Sequence, residues 1–218
     1  PAEMQSFTDW TNLSEATFLL QPEDPSADYK VRIFCPGREL PFAGHPTLGS
    51  CHAWLESGGK PKREFIVQEC GVGLVKIRRD GDRLAFAAPP LKKTGPLPEA
   101  EVEIIARGLG IQRNEIIHHS WCDNGPNWRG VMLATAEQVL SLKPDAQILA
   151  GLDVGVVGPR GKVGVIGAHA DGEAQFELRA FFPVKSGMAE DPVTGSLNAG
   201  VAQWLIGARL LARHRVHA

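Results

Sequence analysis

Neither sign of charge is in excess in this sequence: 23 Lys and Arg stand against 25 Asp and Glu, a net charge of -2 over 218 residues. That balance gives no reason to expect nucleic acid or an anionic membrane as a partner. No apolar run approaches the ~20 residues of a membrane span, and no signal-peptide pattern is present. The four cysteines (Cys35, Cys51, Cys70 and Cys122) form neither a CxxC pair nor a zinc spacing. Buried free thiols in a reducing cytoplasm are therefore expected. Without a Gly-x-Ser-x-Gly elbow, neither Ser50 nor Ser196 reads as a nucleophile. Gly71-Val-Gly73 lacks the rest of a phosphate-loop or dinucleotide pattern and reads as a hairpin. The chain starts at Pro1 rather than Met, which fits a trimmed or unseen beginning.

What the sequence does have is a repeat. Arg32-x-Phe34-x-Pro36 is followed by His45-Pro46-x-x-Gly49-Ser50-x-x-Ala53. Arg179-x-Phe181-x-Pro183 is followed by Asp191-Pro192-x-x-Gly195-Ser196-x-x-Ala199. The two stretches lie about 147 residues apart, with a one-residue slip between their blocks. That spacing is too long for a solenoid and points to two related halves, about 1–95 and 115–218. In this alignment the imidazole of His45 matches the carboxylate of Asp191, two different proton-handling groups at equivalent places.

The local patterns predict mixed α+β structure. Helices are expected at 3–10, 46–57, 99–109, 136–142 and 193–211, with a further short one at 145–149. Strands are expected at 15–20, 29–35, 64–70, 73–79, 83–88, 115–122, 129–134, 153–157, 162–168 and 174–182. Residues 36–43 and the proline-rich 89–98 read as loop and linker. Asp80-Gly81-Asp82 is a hairpin turn, residues 123–128 form a turn cluster, and Gly58 and Gly110 end helices. Antiparallel hairpins around one helix per half exclude a steady βαβ alternation.

Each repeated block places small residues at a helix start, where backbone N–H groups and the helix dipole favour a carboxylate or phosphate. The plain structural alternative is that His45 lies in a capped turn and that Asp191 is an ordinary N-cap. Glu15 stands at the head of an apolar strand, where partial burial suits a proton carrier, though it reads equally as a solvated strand end. His45 and His52 share a helix face but supply too few ligands for a metal. His118 and His119 point to opposite faces of a strand. Cys51 as a nucleophile competes with a buried helix thiol.

Taken together, residues 12–18 (Asn-Leu-Ser-Glu-Ala-Thr-Phe), Arg32-Ile-Phe34, residues 41–49 (Pro-Phe-Ala-Gly-His-Pro-Thr-Leu-Gly), Asp123-Asn-Gly-Pro-Asn-Trp128 and Glu190-Asp-Pro-Val-Thr-Gly-Ser196 resemble the PhzF-like family of phenazine biosynthesis, which has the diaminopimelate epimerase fold. The resemblance implies two similar domains, each a curled sheet around a central helix, with the active site between them. It implies a cofactor-independent isomerase, a homodimer, that moves a proton within a small carboxylated metabolite. Glu15 falls on the family's proton carrier. His45, Asp191 and Ser196 fall on substrate-contacting positions, and Gly44 and Gly195 on backbone contacts. No metal is implied. The epimerases' cysteine pair is replaced here by His45 and Asp191, which rules out a two-thiol racemase. Family members open with a strand and a Gly-Asn-Pro turn and continue past the second central helix, so this sequence is expected to lack its first strand and its end. The rival expectations are a catalytically inactive metabolite-binding protein of the same fold and a thiol-dependent hydrolase using Cys51.

Overall fold

A computed structural model of the chain describes residues 1–11, 13–160, 175–184 and 187–210. The chain forms two compact units, Pro1–Ala87 and Ala88–Ala218. The proline-rich segment and the helix after it thus begin the second unit. The expected strand at 162–168 lies outside the described residues.

The first unit opens with α1 (Ala2–Thr11), β1 (Ala16–Leu20), β2 (Tyr29–Cys35) and β3 (Arg38–Leu40). It continues with α2 (Gly44–Glu56), β4 (Ile66–Cys70), β5 (Gly73–Asp80) and β6 (Arg83–Phe86). Its sheet runs β1-β2-β4-β5-β6, with β3 also on β2. The start of β2 pairs with β4 in parallel and its end pairs with β3 in antiparallel fashion. Strand alternation turns Tyr29, Val31 and Ile33 inward to pack with Cys51 of α2 and with Ile66 and Ile77. Phe34 and Phe18, next to Phe7 of α1, form an edge-to-face aromatic row. The loop expected at 36–43 contains β3, too short at three residues to show a period of two.

In the second unit come α3 (Glu99–Leu109), a 3-10 turn (Arg113–Glu115), β7 (His118–Trp121), β8 (Arg129–Met132) and α4 (Ala136–Ser141). Then follow β9 (Val154–Pro159), β10 (Phe176–Val184), β11 (Gly187–Asp191) and α5 (Gly195–Gly207). The sheet order is β11-β10-β9-β8-β7, with β8 and β9 parallel and the other pairs antiparallel. Every residue of β9 is buried, as a central strand covered on both faces requires. Val131, Val154, Val156 and Phe181 join Ile105 and Leu109 of α3 in one core layer. Met132, Val157 and Ala180 meet Leu197, Val201 and Trp204 of α5 in the other. Gly155 admits α5: a Cβ there would lie 2.4 Å from Leu197.

Most helix limits follow local chemistry. Gly110 adopts φ 72 and closes α3, while Thr135 and Gln138 form a capping box at α4. The helix expected at 145–149 is a set of turns instead. There the Asp145 carboxylate accepts the Gln147 and Ile148 N–H groups as a cap would, and Leu149 N–H bonds to Asp145 O, but the turn is not continued into a helix. No helix among the described residues is long and apolar enough to cross a membrane.

Candidate active site

The repeated Arg-x-Phe is a structural clamp. In the first unit Arg32 lies over the Phe34 ring, 5.1 Å from its centroid. It also forks onto Glu39 with Nε–Oε1 2.8 Å and Nη2–Oε2 2.6 Å. In the second unit Arg179 lies 4.8 Å from the Phe181 centroid and forks onto Glu190 at 2.8 and 2.7 Å. Bidentate geometry suits the planar guanidinium. Both glutamates are held below the usual carboxylate range, chiefly by their arginine. The sequence reading missed Glu39 and Glu190, because β3 and β11 were not expected.

These clamps fix the true register of the repeat. Phe34 pairs with Glu39 across the β2–β3 hairpin, and Phe181 pairs with Glu190 across β10–β11. The second hairpin is longer by two residue pairs, a change that leaves every side chain on its original face. After each glutamate the chain takes the same number of residues to a helix of 13, which starts at Gly44 in one unit and Gly195 in the other. His45 therefore corresponds to Ser196, and Asp191 to Leu40. The sequence alignment of His45 with Asp191 is overturned: it absorbed the hairpin extension as a one-residue slip.

In the first unit α2 presents His45 in its opening turn, 57% exposed, with Nε2 3.3 Å from Oε2 of Glu15. Glu15 immediately precedes β1, and its side chain is only 21% exposed. Its Oε2 is buried and makes no well-directed hydrogen bond among the described residues, so the contact with His45 is one of proximity. No side chain caps α2, whose first hydrogen bond runs from Thr47 N–H to Ala43 O. The Gly44 and His45 N–H groups are thus the open donors of this turn. Beneath it, the Tyr29 hydroxyl donates to Gln68 Oε1 and Gln68 Nε2 donates to Thr47 Oγ1, a buried chain that anchors the turn.

In the second unit Asp191 ends β11, and its Oδ1 accepts N–H groups of Val193 and Thr194 at 2.9 and 3.1 Å. Asp191 is therefore not the N-cap. That place belongs to Thr194, held left-handed at φ 40 and ψ 64, a costly conformation for a β-branched residue. Gly195 follows with an open backbone. Ser196 Oγ accepts the Trp128 indole N–H at 3.0 Å, and the Ser196 carbonyl accepts Asn124 Nδ2 at 2.8 Å. The turn cluster at 123–128 thus reaches the first turn of α5.

Other candidates resolve plainly. Cys51 is fully buried, and burial pushes its thiol up, the reverse of what a nucleophile needs. A thiol-dependent hydrolase is left without its nucleophile. His52 is exposed on α2, while His119 accepts the Leu97 N–H through Nδ1. Among the described residues, no group of three or more His, Cys, Asp or Glu side chains could hold a metal ion.

A mixed sheet with one central helix, repeated, agrees with the fold of known proteins. The profile of the phenazine biosynthesis-like protein family, PhzC-PhzF, matches residues 1–217. Among curated relatives, trans-2,3-dihydro-3-hydroxyanthranilate isomerase of Pseudomonas aeruginosa is 31% identical over 216 residues, 97% of this chain and 69% of that protein. Antisense-enhancing sequence 1 of Schizosaccharomyces pombe is 40% identical over 217 residues, 94% of this chain and 70% of that protein. A crystal structure of a PhzF family protein from Enterococcus faecalis shares the fold, with a TM-score of 0.71 at 23% identity, over 95% of this chain and 72% of that one. The chain belongs to the phenazine biosynthesis-like (PhzC-PhzF) family, and its enzyme class is isomerase.

Proposed function

We propose that this chain catalyses a cofactor-independent isomerisation, moving a proton within a small carboxylated metabolite by acid/base chemistry. The observation that carries the reading is Glu15: a largely buried carboxylate with one oxygen unpaired among the described residues and an imidazole 3.3 Å away. An unpaired buried oxygen is costly unless a ligand engages it. Glu15 takes the proton from an acidified carbon and returns it elsewhere on the same face. Burial limits loss of that proton to water. His45 orients the substrate and tunes Glu15 by proximity. Asp191, with Oδ1 committed to backbone, offers Oδ2 to the substrate. Ser196 and the backbone of Gly44 and Gly195 bind the carboxylate, the helix starts contributing their dipoles. No step calls on a metal or an organic cofactor. A homodimer, which rests on the family resemblance, and a cytoplasmic location, which rests on the free thiols, belong to the same proposal.

The names of relatives support this reading, since three of them are called trans-2,3-dihydro-3-hydroxyanthranilate isomerase. The test is solvent-deuterium incorporation followed by NMR, using that compound and a panel of small carboxylated metabolites. Deuterium entering a carbon position with the wild-type chain and not with Glu15→Gln is the expected result. Exchange undiminished in Glu15→Gln would remove Glu15 from its role. Binding of a panel member with no exchange at all would favour a metabolite-binding protein.

A further inference from the structure

The Asp123–Trp128 turn has a role that the proton chemistry leaves unassigned. It grips one residue of α5 twice, Ser196, through its side chain and its carbonyl. A serine hydroxyl has one proton to give and two lone pairs, whereas an indole N–H can only donate. With Trp128 Nε1 at 3.0 Å, Ser196 Oγ is the acceptor in that bond. Its own proton has to point elsewhere, and no acceptor among the described residues takes it.

Trp128 is itself held firmly. It is 4% exposed and belongs to the core layer with Leu197, Val201 and Trp204. Its carbonyl accepts the Cys122 N–H at 2.9 Å, and its N–H bonds to Pro126 O. At the other end of the turn, Asp123 Oδ1 accepts the Gly125 N–H at 2.9 Å, the side-chain-to-backbone closure that Asp favours in turns. The indole direction is thus fixed by the core before any ligand arrives. Ser196 follows the glycine that starts α5, as His45 follows the glycine that starts α2. Each is met by a side chain from earlier in its own unit, Trp128 in one case and Glu15 in the other.

We propose that Trp128 is a positioning residue: it fixes Ser196 as a hydrogen-bond donor to the substrate carboxylate, while Asn124 fixes the Ser196 backbone. The proposal rests on the reading of Ser196 as a carboxylate ligand. A preorganised donor favours an anion without reorganisation on binding, so losing it weakens carboxylate binding about tenfold, the scale of one hydrogen bond to a charged group.

Two measurements test it. First, Ser196→Ala, at a half-buried position, should shift the Trp128 indole N–H resonance and speed its exchange with solvent; an unmoved resonance overturns the proposal. Second, binding of anthranilate, a stable aromatic amino carboxylate, is compared in the wild type, Trp128→Phe, Ser196→Ala and the double variant. About tenfold weaker binding in Trp128→Phe, with no further loss in the double variant, is expected. If the bond serves stability alone, Trp128→Phe melts earlier yet binds like the wild type, and the proposal fails while the isomerase reading stands. Should Trp128→Phe not fold, the resonance in Ser196→Ala decides. If the wild type binds neither anthranilate nor any carboxylate of the exchange panel, the carboxylate role of Ser196 fails and the Trp128 proposal falls with it.

Discussion

Glu15 and His45 meet at 3.3 Å although one precedes a strand and the other sits in the first turn of a helix. The carboxylate oxygen nearest the imidazole is buried and makes no hydrogen bond among the described residues. Polar atoms left in that state are rare in folded proteins and call for a chemical explanation.

Replacing Glu15 with Gln keeps the volume and removes the proton carrier. Turnover should fall by about two to four orders of magnitude, the usual contribution of a general acid/base, while ligand affinity changes by less than about tenfold. Single-turnover deuterium exchange beside equilibrium binding measures both. Loss of binding equal to the loss of turnover would make Glu15 a binding group.

The two arginine clamps should differ in strength. Arg179 also donates to the carbonyls of Val139 and Leu142 at 3.1 and 2.9 Å, so Arg179→Met strands acceptors that Arg32→Met does not. Urea denaturation should give a loss of about 1–3 kcal/mol for Arg179→Met and under about 1 kcal/mol for Arg32→Met, which grips no carbonyl among the described residues.

Acid should erase part of the cost of Arg179→Met. Glu190 is held below its ordinary value of 4.5 by Arg179. Its contribution is present above that value and disappears as pH falls through the lowered one. The stability gap between the wild type and Arg179→Met should therefore narrow below about pH 4. A gap constant from pH 7 to pH 3 would count against the Glu190 pairing.

Two glycines of α5 should respond in opposite directions to alanine. Helix propensity favours Ala over Gly by about 1 kcal/mol. At Gly207 nothing among the described residues lies within 4 Å of a new Cβ, so Gly207→Ala should be neutral to slightly stabilising. At Gly200 a Cβ would meet the Cys122 carbonyl oxygen at 2.6 Å, and overpacking should cost about 1–3 kcal/mol. Thermal melts of the two variants decide.

Thiol chemistry should be confined to one side chain. Cys51 and Cys122 are fully buried and Cys70 nearly so, while Cys35 is partly exposed. Burial pushes the Cys122 thiol up to about 12. A chromogenic disulfide reagent should titrate about one thiol quickly in the native chain and the rest on unfolding. Alkylation under native conditions should leave exchange activity intact.

Local periodicity determined much of the architecture. The strand at Tyr29–Cys35 and the helix at Glu99–Leu109 match their sequence patterns residue for residue. Periods of two and 3.6 are written along contiguous residues, where side chains must alternate or rotate to share one core. Turn chemistry was equally legible: Gly58, Gly81 and Gly110 all adopt the left-handed backbone at the ends they mark. The motifs around Glu15, His45, Asp191 and Ser196 were readable too, because each is a short, contiguous string.

Partnership between remote segments was decided only by the tertiary structure. The sequence matched His45 with Asp191, whereas strand register matches His45 with Ser196, because a hairpin can grow by two pairs without turning any side chain to the other face. Which oxygen of Glu15 is buried, which glutamate Arg179 grips and which hydroxyl Trp128 meets depend equally on segments that are distant in the chain. Sequence determined what each segment could become; the pairing of those segments decided which chemical groups stand within hydrogen-bond reach, since that reach is a distance in space and not along the chain.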